Sequence, residues 1–309
     1  MLADHIELRL EALGRHELFL PSDDAAEKVA ALLEPLYTDG TVEQYPARRR
    51  PDAVVAWRHQ EESFFGPPVT SIAIDSRLGV DVERWLEHTL AAAMPDFEPE
   101  WDLLLDRSYH QARRALLSVG AGIDSVIQLG EVDAARRRFR SAALPAGFTI
   151  APMEPDQIDA VVGIYADAFA AEPQYCWFGA DPRFLESQAR RFTDALAAPD
   201  HLELVVSEGA RIVAHAGATI AVDHPFWGPT GGMSLCFSPS ARGRGLLRGV
   251  YTSLLAGLAE RGARAFRGGT SQPAVMKYSR EMGRTLEAIV MRPGAFFEPD
   301  HFAPVLAEP

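Results

Sequence analysis

The sequence predicts an α/β (α+β) chain of two tandem units, each of strands and flanking helices, with the first unit degenerate. Three observations lead there. Apolar runs of strand character alternate with segments of helical apolar spacing along the whole 309-residue chain. The halves end alike, Ser108-Tyr-His-Gln-Ala-Arg-Arg-Ala-Leu-Leu-Ser-Val-Gly answering Thr270-Ser-Gln-Pro-Ala-Val-Met-Lys-Tyr-Ser-Arg-Glu-Met-Gly, as in an internal repeat. One glycine- and arginine-rich turn, Arg242 to Arg248, joins an apolar strand to an apolar helix, and only in the second half. A chain of this length suits two domains of about 150 residues each. The stretch 134–147, basic and then small and turn-forming, reads as the connector. That places the domains at 1–142 and 146–309.

In the first half, Asp52-Ala-Val-Val-Ala-Trp-Arg and Pro68-Val-Thr-Ser-Ile-Ala-Ile-Asp predict adjacent strands. A helix follows over 80–93, a strand over 101–106, a helix over 111–119 and a strand from Ser125. In the second half, 148–152 predicts a short strand. Asp156 has the place of a helix cap before Ile158, Val161, Val162, Tyr165 and Phe169 at helical spacing. A helix over 182–198 leads to a hairpin, 202–208 and 211–220, turning at Gly209. Then come a strand at 233–237, the glycine turn, a helix to Arg261, a strand at 265–268, a helix from Pro273 to near Gly283 and a strand at 286–291.

The turn carries the chemistry. Gly243 and Gly245 allow positive φ, which turns successive N–H groups inward at a helix start and makes an anion-binding concavity. Arg242, Arg244 and Arg248 add forked donors suited to phosphate oxygens. Gly243, Gly245 and Gly249 also spell a loose dinucleotide pattern, but that fold would place it early in its domain, with an acidic residue on the next strand. The corresponding run in the first half, Asp75-Ser-Arg-Leu-Gly-Val-Asp, has one glycine and two carboxylates, which repel a diphosphate.

The order of elements and the run Phe237-Ser-Pro-Ser-Ala-Arg242-Gly-Arg-Gly-Leu-Leu247 resemble the GNAT acyltransferase superfamily, in its tandem two-domain type with a mycothiol-synthase-like layout. Phe237-Ser-Pro stands for the family's V-x-P, and Arg242-Gly-Arg-Gly-Leu-Leu247 for its R/Q-x-x-G-x-G/A. Leu247 departs from the pattern and needs its side chain turned into the domain. The resemblance implies two tandem GNAT-like domains, each a mixed, mostly antiparallel sheet flanked by helices, and acetyl-CoA or another acyl-CoA lying where the fourth and fifth strands splay apart. It implies strand contacts from Leu235, Cys236 and Phe237, and diphosphate contacts from Arg242, Gly243, Arg244, Gly245, Leu246, Leu247 and Arg248. The leaving thiolate is protonated in that family by a helix tyrosine, which implies Tyr278, with Ser279 the alternative if the helix-ending Gly283 sets the register. His215, or Asp223 and His224, are candidates for the general base. Aromatic residues at 175–178, Phe226-Trp227 and Phe296-Phe297 either line an acceptor pocket or pack against the neighbouring domain. Glu172, Asp181 and Asp223 favour a cationic acceptor.

Bulk properties narrow the rest. A formal charge of −13 opposes nucleic acid as a partner. No apolar run reaches membrane-span length, and Met1–Arg9 lacks a secretory pattern, so a cytoplasmic protein without a membrane partner is expected. Cys176 and Cys236 make no disulfide framework, and no Cys/His group has zinc spacing. The expected activity is acyl transfer to the amine of a small molecule, the alternative a non-catalytic acyl-CoA sensor; a homodimer is left open.

Overall fold

The computed structural model describes residues 1–47, 50–60, 69–93, 101–172, 181–221, 224, 226–293, 297 and 301–306. Eleven strands form one sheet in the order β1-β2-β3-β4-β11-β5-β10-β9-β8-β7-β6. They are β1 (Thr41–Tyr45), β2 (Ala53–Gln60), β3 (Val69–Ser76), β4 (Trp101–Asp106), β5 (Ala121–Glu131), β6 (Phe148–Pro152), β7 (His201–Glu208), β8 (Arg211–Ala221), β9 (Thr230–Phe237), β10 (Ala265–Thr270) and β11 (Thr285–Pro293). Only β3–β4 and β9–β10 run parallel. A mostly antiparallel sheet excludes the dinucleotide fold, which is built on parallel strands.

The helices are α1 (Leu2–Leu13), α2 (Ala25–Thr38), α3 (Glu83–Ala93), α4 (His110–Ser118), α5 (Val132–Arg138), α6 (Ile158–Ala170), α7 (Pro182–Ala197), α8 (Leu246–Glu260), α9 (Pro273–Glu281) and α10 (Ala303–Leu306). Their ends follow local chemistry. Asp181 caps α7 by accepting from the Arg183 N–H at 2.9 Å, with Pro182 in the first turn. Glu154, not Asp156, caps the other early helix, through a capping box with Gln157 around a 3₁₀ turn that runs into α6. The similar endings of the halves are α4 and α9, each followed by a positive-φ glycine, Gly120 and Gly283.

Further readings change. The stretch 134–147 is not all connector: α5 takes it to Arg138, burying Val132 and Ala135. The strand expected at 233–237 starts at Thr230, because 230–232 pair with 265–267 of β10. α1, α2 and β1 were not expected at all.

The two halves exchange their last strands. β5 lies between β11 and β10, and β11 between β4 and β5, all antiparallel. The cores therefore mix. Met276, Leu286, Ile289, Met291 and Phe302 pack with Val55, Ile74, Leu86 and Leu90. Val132, Ala135 and Phe139 pack with Leu246, Tyr251 and Leu254. A third cluster joins α1 and α2 to Phe226 and Trp227, and a fourth sets α6 and α7 on β7 and β9.

Candidate active site

β9 and β10 are paired only at 230–232 with 265–267. Beyond Gly232, β9 continues beside β8, and β10 continues beside β5. The strands part, and the edge of β9 from Met233 to Phe237 that faces away from β8 has no partner strand among the described residues. Unpaired strand amides need an acceptor, which is the opportunity a split of this kind offers a ligand.

The split leads to the glycine turn. Gly243 and Gly245 have φ of +75° and +76°, where a side chain is strained, and Gly245 is the left-handed cap of α8. The N–H groups of Gly243, Gly245, Leu246 and Leu247 meet no acceptor among the described residues. A Cβ on Gly243 would meet nothing within 4 Å, and one on Gly245 only Pro145 Cγ of the connector at 3.8 Å. Leu246 is buried, and Leu247 packs into the same cluster under α8, so the departure from the family pattern leaves the backbone accessible.

The three arginines ring the turn, each on a carboxylate. Arg242 donates to Glu172 at 2.6 Å, Arg244 forks onto Glu208 at 2.9 and 2.7 Å, and Arg248 pairs with Glu281. Hydrogen bonds from Arg244 and Arg211 hold the Glu208 carboxyl down to about 2. These pairs are half-exposed or exposed, where an ion pair is worth about 0–1 kcal/mol, so exchange for a diphosphate costs little.

Strand alternation divides the remaining residues between two faces. Leu235 and Phe237 point toward α8, and Tyr278 on α9 packs on that side too. Arg248 lies 5.0 Å over the Tyr278 ring, with Phe139 and Tyr251 at 5.9 and 6.4 Å. The Tyr278 hydroxyl has no hydrogen bond among the described residues. Ser279 is fully buried and accepts from Arg284 at 3.0 Å, which removes it as the alternative acid.

Cys236 and His215 occupy the opposite face, under α6 and α7. Burial pushes the Cys236 thiol up to about 12, so it is an inert packing group. His215 is fully buried between two partners. Its Nε2 lies 2.6 Å from Glu203 Oε2 and its Nδ1 3.1 Å from the Tyr165 hydroxyl. A carboxylate only accepts, so Nε2 carries the proton and the neutral ring takes the Tyr165 O–H on Nδ1. Burial lowers the His215 pKa, and Glu203 opposes that. Burial raises the Tyr165 hydroxyl, and Ser234 and Arg191 beside it work the other way. Gly217 makes the arrangement possible: a Cβ there would sit 2.2 Å from Glu203 Oε2.

Glu203 and Tyr165 escaped sequence reasoning. The available signals were a carboxylate inside an apolar strand and a hydroxyl inside an apolar helix stripe, since buried polar groups of either kind need partners.

Other expectations resolve differently. Phe226 and Trp227 are buried against α1 and α2, with Trp227 edge-on to His16 at 5.3 Å, so they join the halves rather than line an acceptor pocket. Phe297 stacks on His301 at 4.5 Å in the first core. Glu172 and Asp181 already hold Arg242 and Arg183. Residues 175–178, Asp223 and Phe296 lie outside the described residues.

The connector runs over the turn as a strap. Leu144 packs on Gly249 so closely that a Cβ there would sit 2.8 Å from its Cδ2. The Ala142 N–H donates to Thr252 Oγ1, and the Arg140 carbonyl accepts from Arg248. Among the described residues no helix is long and apolar enough to cross a membrane, and no group of three or more His, Cys, Asp or Glu is placed to hold a metal ion.

No protein-family model and no curated protein sequence matches the chain. Solved structures do. A GCN5-related N-acetyltransferase from Sphaerobacter thermophilus superposes with a TM-score of 0.56 over 94% of this chain and 91% of its own, at 16% identity. A GNAT-family acetyltransferase from Colwellia psychrerythraea gives 0.52 over 94% and 96%, at 9% identity. The chain has the fold of the GCN5-related N-acetyltransferases along nearly its whole length, and its internal repeat makes it two such units with exchanged final strands.

Proposed function

We propose that the chain transfers an acetyl or similar acyl group from coenzyme A to the amine of a small molecule by direct attack in a ternary complex. The transfer would use the domain spanning 146–309, set off from a degenerate one spanning 1–142. One observation carries this reading: parallel strands that part and lead into a glycine turn with unclaimed amides. The residues present fit an acyl-CoA. The amides of 243–247 and Arg242, Arg244 and Arg248 would hold its diphosphate, and the free edge of β9 at Leu235–Phe237 its pantetheine. When bound, the coenzyme supplies the activated acyl group as a thioester.

The residues on either face of the split divide the proton work. Tyr278, on the α8 side, donates its hydroxyl proton to the sulfur as the carbon–sulfur bond breaks and sulfur keeps the electron pair. On the other side the amine gives up a proton as its lone pair bonds the carbonyl carbon. His215 is fully buried and acts through the Tyr165 hydroxyl, itself buried, that sits on its Nδ1. Tyr165 accepts the proton on its oxygen and passes its own to His215 Nδ1, and Glu203 stabilises the imidazolium. Most of the acceleration then comes from alignment in the split and from fixed dipoles.

A second reading, an acyl-CoA sensor without turnover, is favoured by Phe139, which packs edge-on against Tyr278. One experiment decides. The full chain is mixed with acetyl-CoA and a panel of amines, following heat and free thiol together. Thiol release that depends on an amine supports transfer, heat without thiol supports the sensor, and neither defeats both.

A further inference from the structure

Four arginines on α5 and the strap, Arg136, Arg137, Arg138 and Arg140, make no side-chain hydrogen bond or ion pair among the described residues. That is unusual in a chain with 43 acidic against 30 basic residues. Asp133 shares a cavity with Arg136 and Arg137, but the only carboxylate lining the cavity of Arg138 and Arg140 is Glu281, already paired with Arg248; their mutual repulsion is what a bound anion would relieve.

The strap gives them a place to act. A cavity of about 550 Å³ opens between the strap and the ends of α8 and α9, lined by Arg138, Arg140, Ser141, Ala142, Arg248 and Glu281. A second, of about 360 Å³, lies on its other side with Arg136 and Arg137. Arg138 is laid against the glycine that closes α9: a Cβ on Gly283 would sit 2.3 Å from its Nη1. Arg140 is tied through its carbonyl to Arg248. The larger cavity thus holds three guanidinium groups against one carboxylate, Glu281, which Arg248 already neutralises.

We propose that Arg138 and Arg140, together with Arg248 at the shared border, form a binding site for a phosphate monoester that adjoins the glycine turn. Forked guanidinium donors suit the three terminal oxygens of such a dianion. Two sources share that chemistry: the 3′-phosphate of coenzyme A seated in the turn, and a separate phosphorylated metabolite. The first source rests on the acyl-CoA reading above; the second does not.

Calorimetry on the full chain separates them, using inorganic phosphate, coenzyme A and dephospho-coenzyme A, with chloride at matched ionic strength to remove screening. The variants are R138Q/R140Q and, as a charge control far from the strap, R84Q. Phosphate binding that R138Q/R140Q weakens about tenfold or more, and that R84Q leaves unchanged, supports the site. Coenzyme A binding about tenfold tighter than its dephospho form, with the ratio collapsing toward one in R138Q/R140Q, makes the 3′-phosphate the occupant. A ratio near one in every protein, with phosphate still bound, makes it a separate metabolite. Phosphate binding with neither coenzyme bound ends the acyl-CoA reading and leaves this site standing. If phosphate binds the unmodified chain no better than chloride, or binds R138Q/R140Q equally well, the proposal is wrong. The replaced side chains are exposed and unpartnered, so melting temperatures of the variants should match and exclude misfolding as the cause.

Discussion

After Ile72 and Leu103, β3 and β4 part; after Gly232 and Arg267, so do β9 and β10. Each split is flanked by a carboxylate, a histidine and a tyrosine in contact. In the first half Asp75 meets His5 at 2.7 Å, and His5 meets the Tyr37 hydroxyl at 2.9 Å. In the second, Glu203 meets His215 at 2.6 Å, and His215 meets Tyr165 at 3.1 Å. What surrounds the carboxylate differs. Asp75 also takes two bonds from Arg9, both 2.7 Å, and one from Tyr109, which reaches across from the end of β4 at 2.9 Å. Farther along, His16 meets Asp106 at 3.0 Å, and Arg15 donates to Ser108. α1 and its following turn therefore occupy the first split. Burial alone would raise the Asp75 carboxyl, but Arg9 and His5 outweigh it and hold it well below the usual carboxylate range. Among the described residues no arginine pairs with Glu203, whose charge works to raise the His215 pKa against burial and Arg191. One pattern of groups is thus a staple in one unit and, under the function proposed above, a proton acceptor in the other.

The sharpest way to break that contrast is at the face opposite the relay. Tyr278→Phe keeps the ring packing with Arg248 and Phe139 and removes the proton. Turnover should fall about 10²- to 10⁴-fold with coenzyme affinity unchanged. Full turnover in steady-state assays would leave Tyr278 as a packing residue only. Next in size is the staple. Asp75→Ala removes a buried partner of Arg9 and His5 and should destabilise the fold by about 3–5 kcal/mol, read from urea unfolding. A small loss there would mean that α1 is held by its apolar face alone.

Much of this architecture was legible in residues. The hairpin of β7 and β8 was plain from the apolar runs on either side of Gly209, and α6 from its apolar spacing. The glycine turn was legible because its backbone demands glycine. α1 and α2 were not, since their burial depends on Phe226 and Trp227 from far along the chain. The strand exchange was equally hidden: β5 and β11 have the same apolar character whichever partner they take. At the site, His215 stood out while Glu203 and Tyr165 did not, because their pairing exists only after β7, β8 and α6 meet.

The relay itself should show smaller and more diagnostic changes. Tyr165→Phe breaks it without emptying the core and should slow turnover toward the lower end of the range for Tyr278→Phe. Glu203→Gln removes the group that raises the His215 pKa, so the acid limb of the activity profile should move to lower pH. An unmoved limb would separate His215 from the reaction. Stability should follow pH through His215 and His224. Burial lowers both, His224 to about 4 from 6.5, and its Nδ1 accepts the Phe226 N–H at 3.3 Å. Each folded ring binds fewer protons than the unfolded one below pH 6.5. Their contribution is therefore complete above that value and lost as pH falls toward 4. His224→Gln should flatten the fall in unfolding midpoint across that window, and an unchanged curve would place the acid sensitivity elsewhere.

The smallest expected effect bears on whether the glycine turn is poised for an anion or closed by its own charges. Glu208 holds Arg244 by two bonds in an exposed pair. Its depressed carboxyl contributes stability above the ordinary glutamate range and loses it as pH falls toward about 2, so at neutral pH the pair is intact. Glu208→Gln releases Arg244 toward the turn. An exposed pair of this kind is largely screened by solvent, so the coenzyme should bind only a few-fold tighter, and less so in high salt. Phe148, stacked 4.6 Å beneath the Arg244 guanidinium, keeps that side chain beside the turn after its partner is gone. Affinity that does not rise in calorimetry would mean that Arg244 serves only the surface, leaving the open amides of Gly243, Gly245, Leu246 and Leu247 to hold the diphosphate with Arg242 and Arg248.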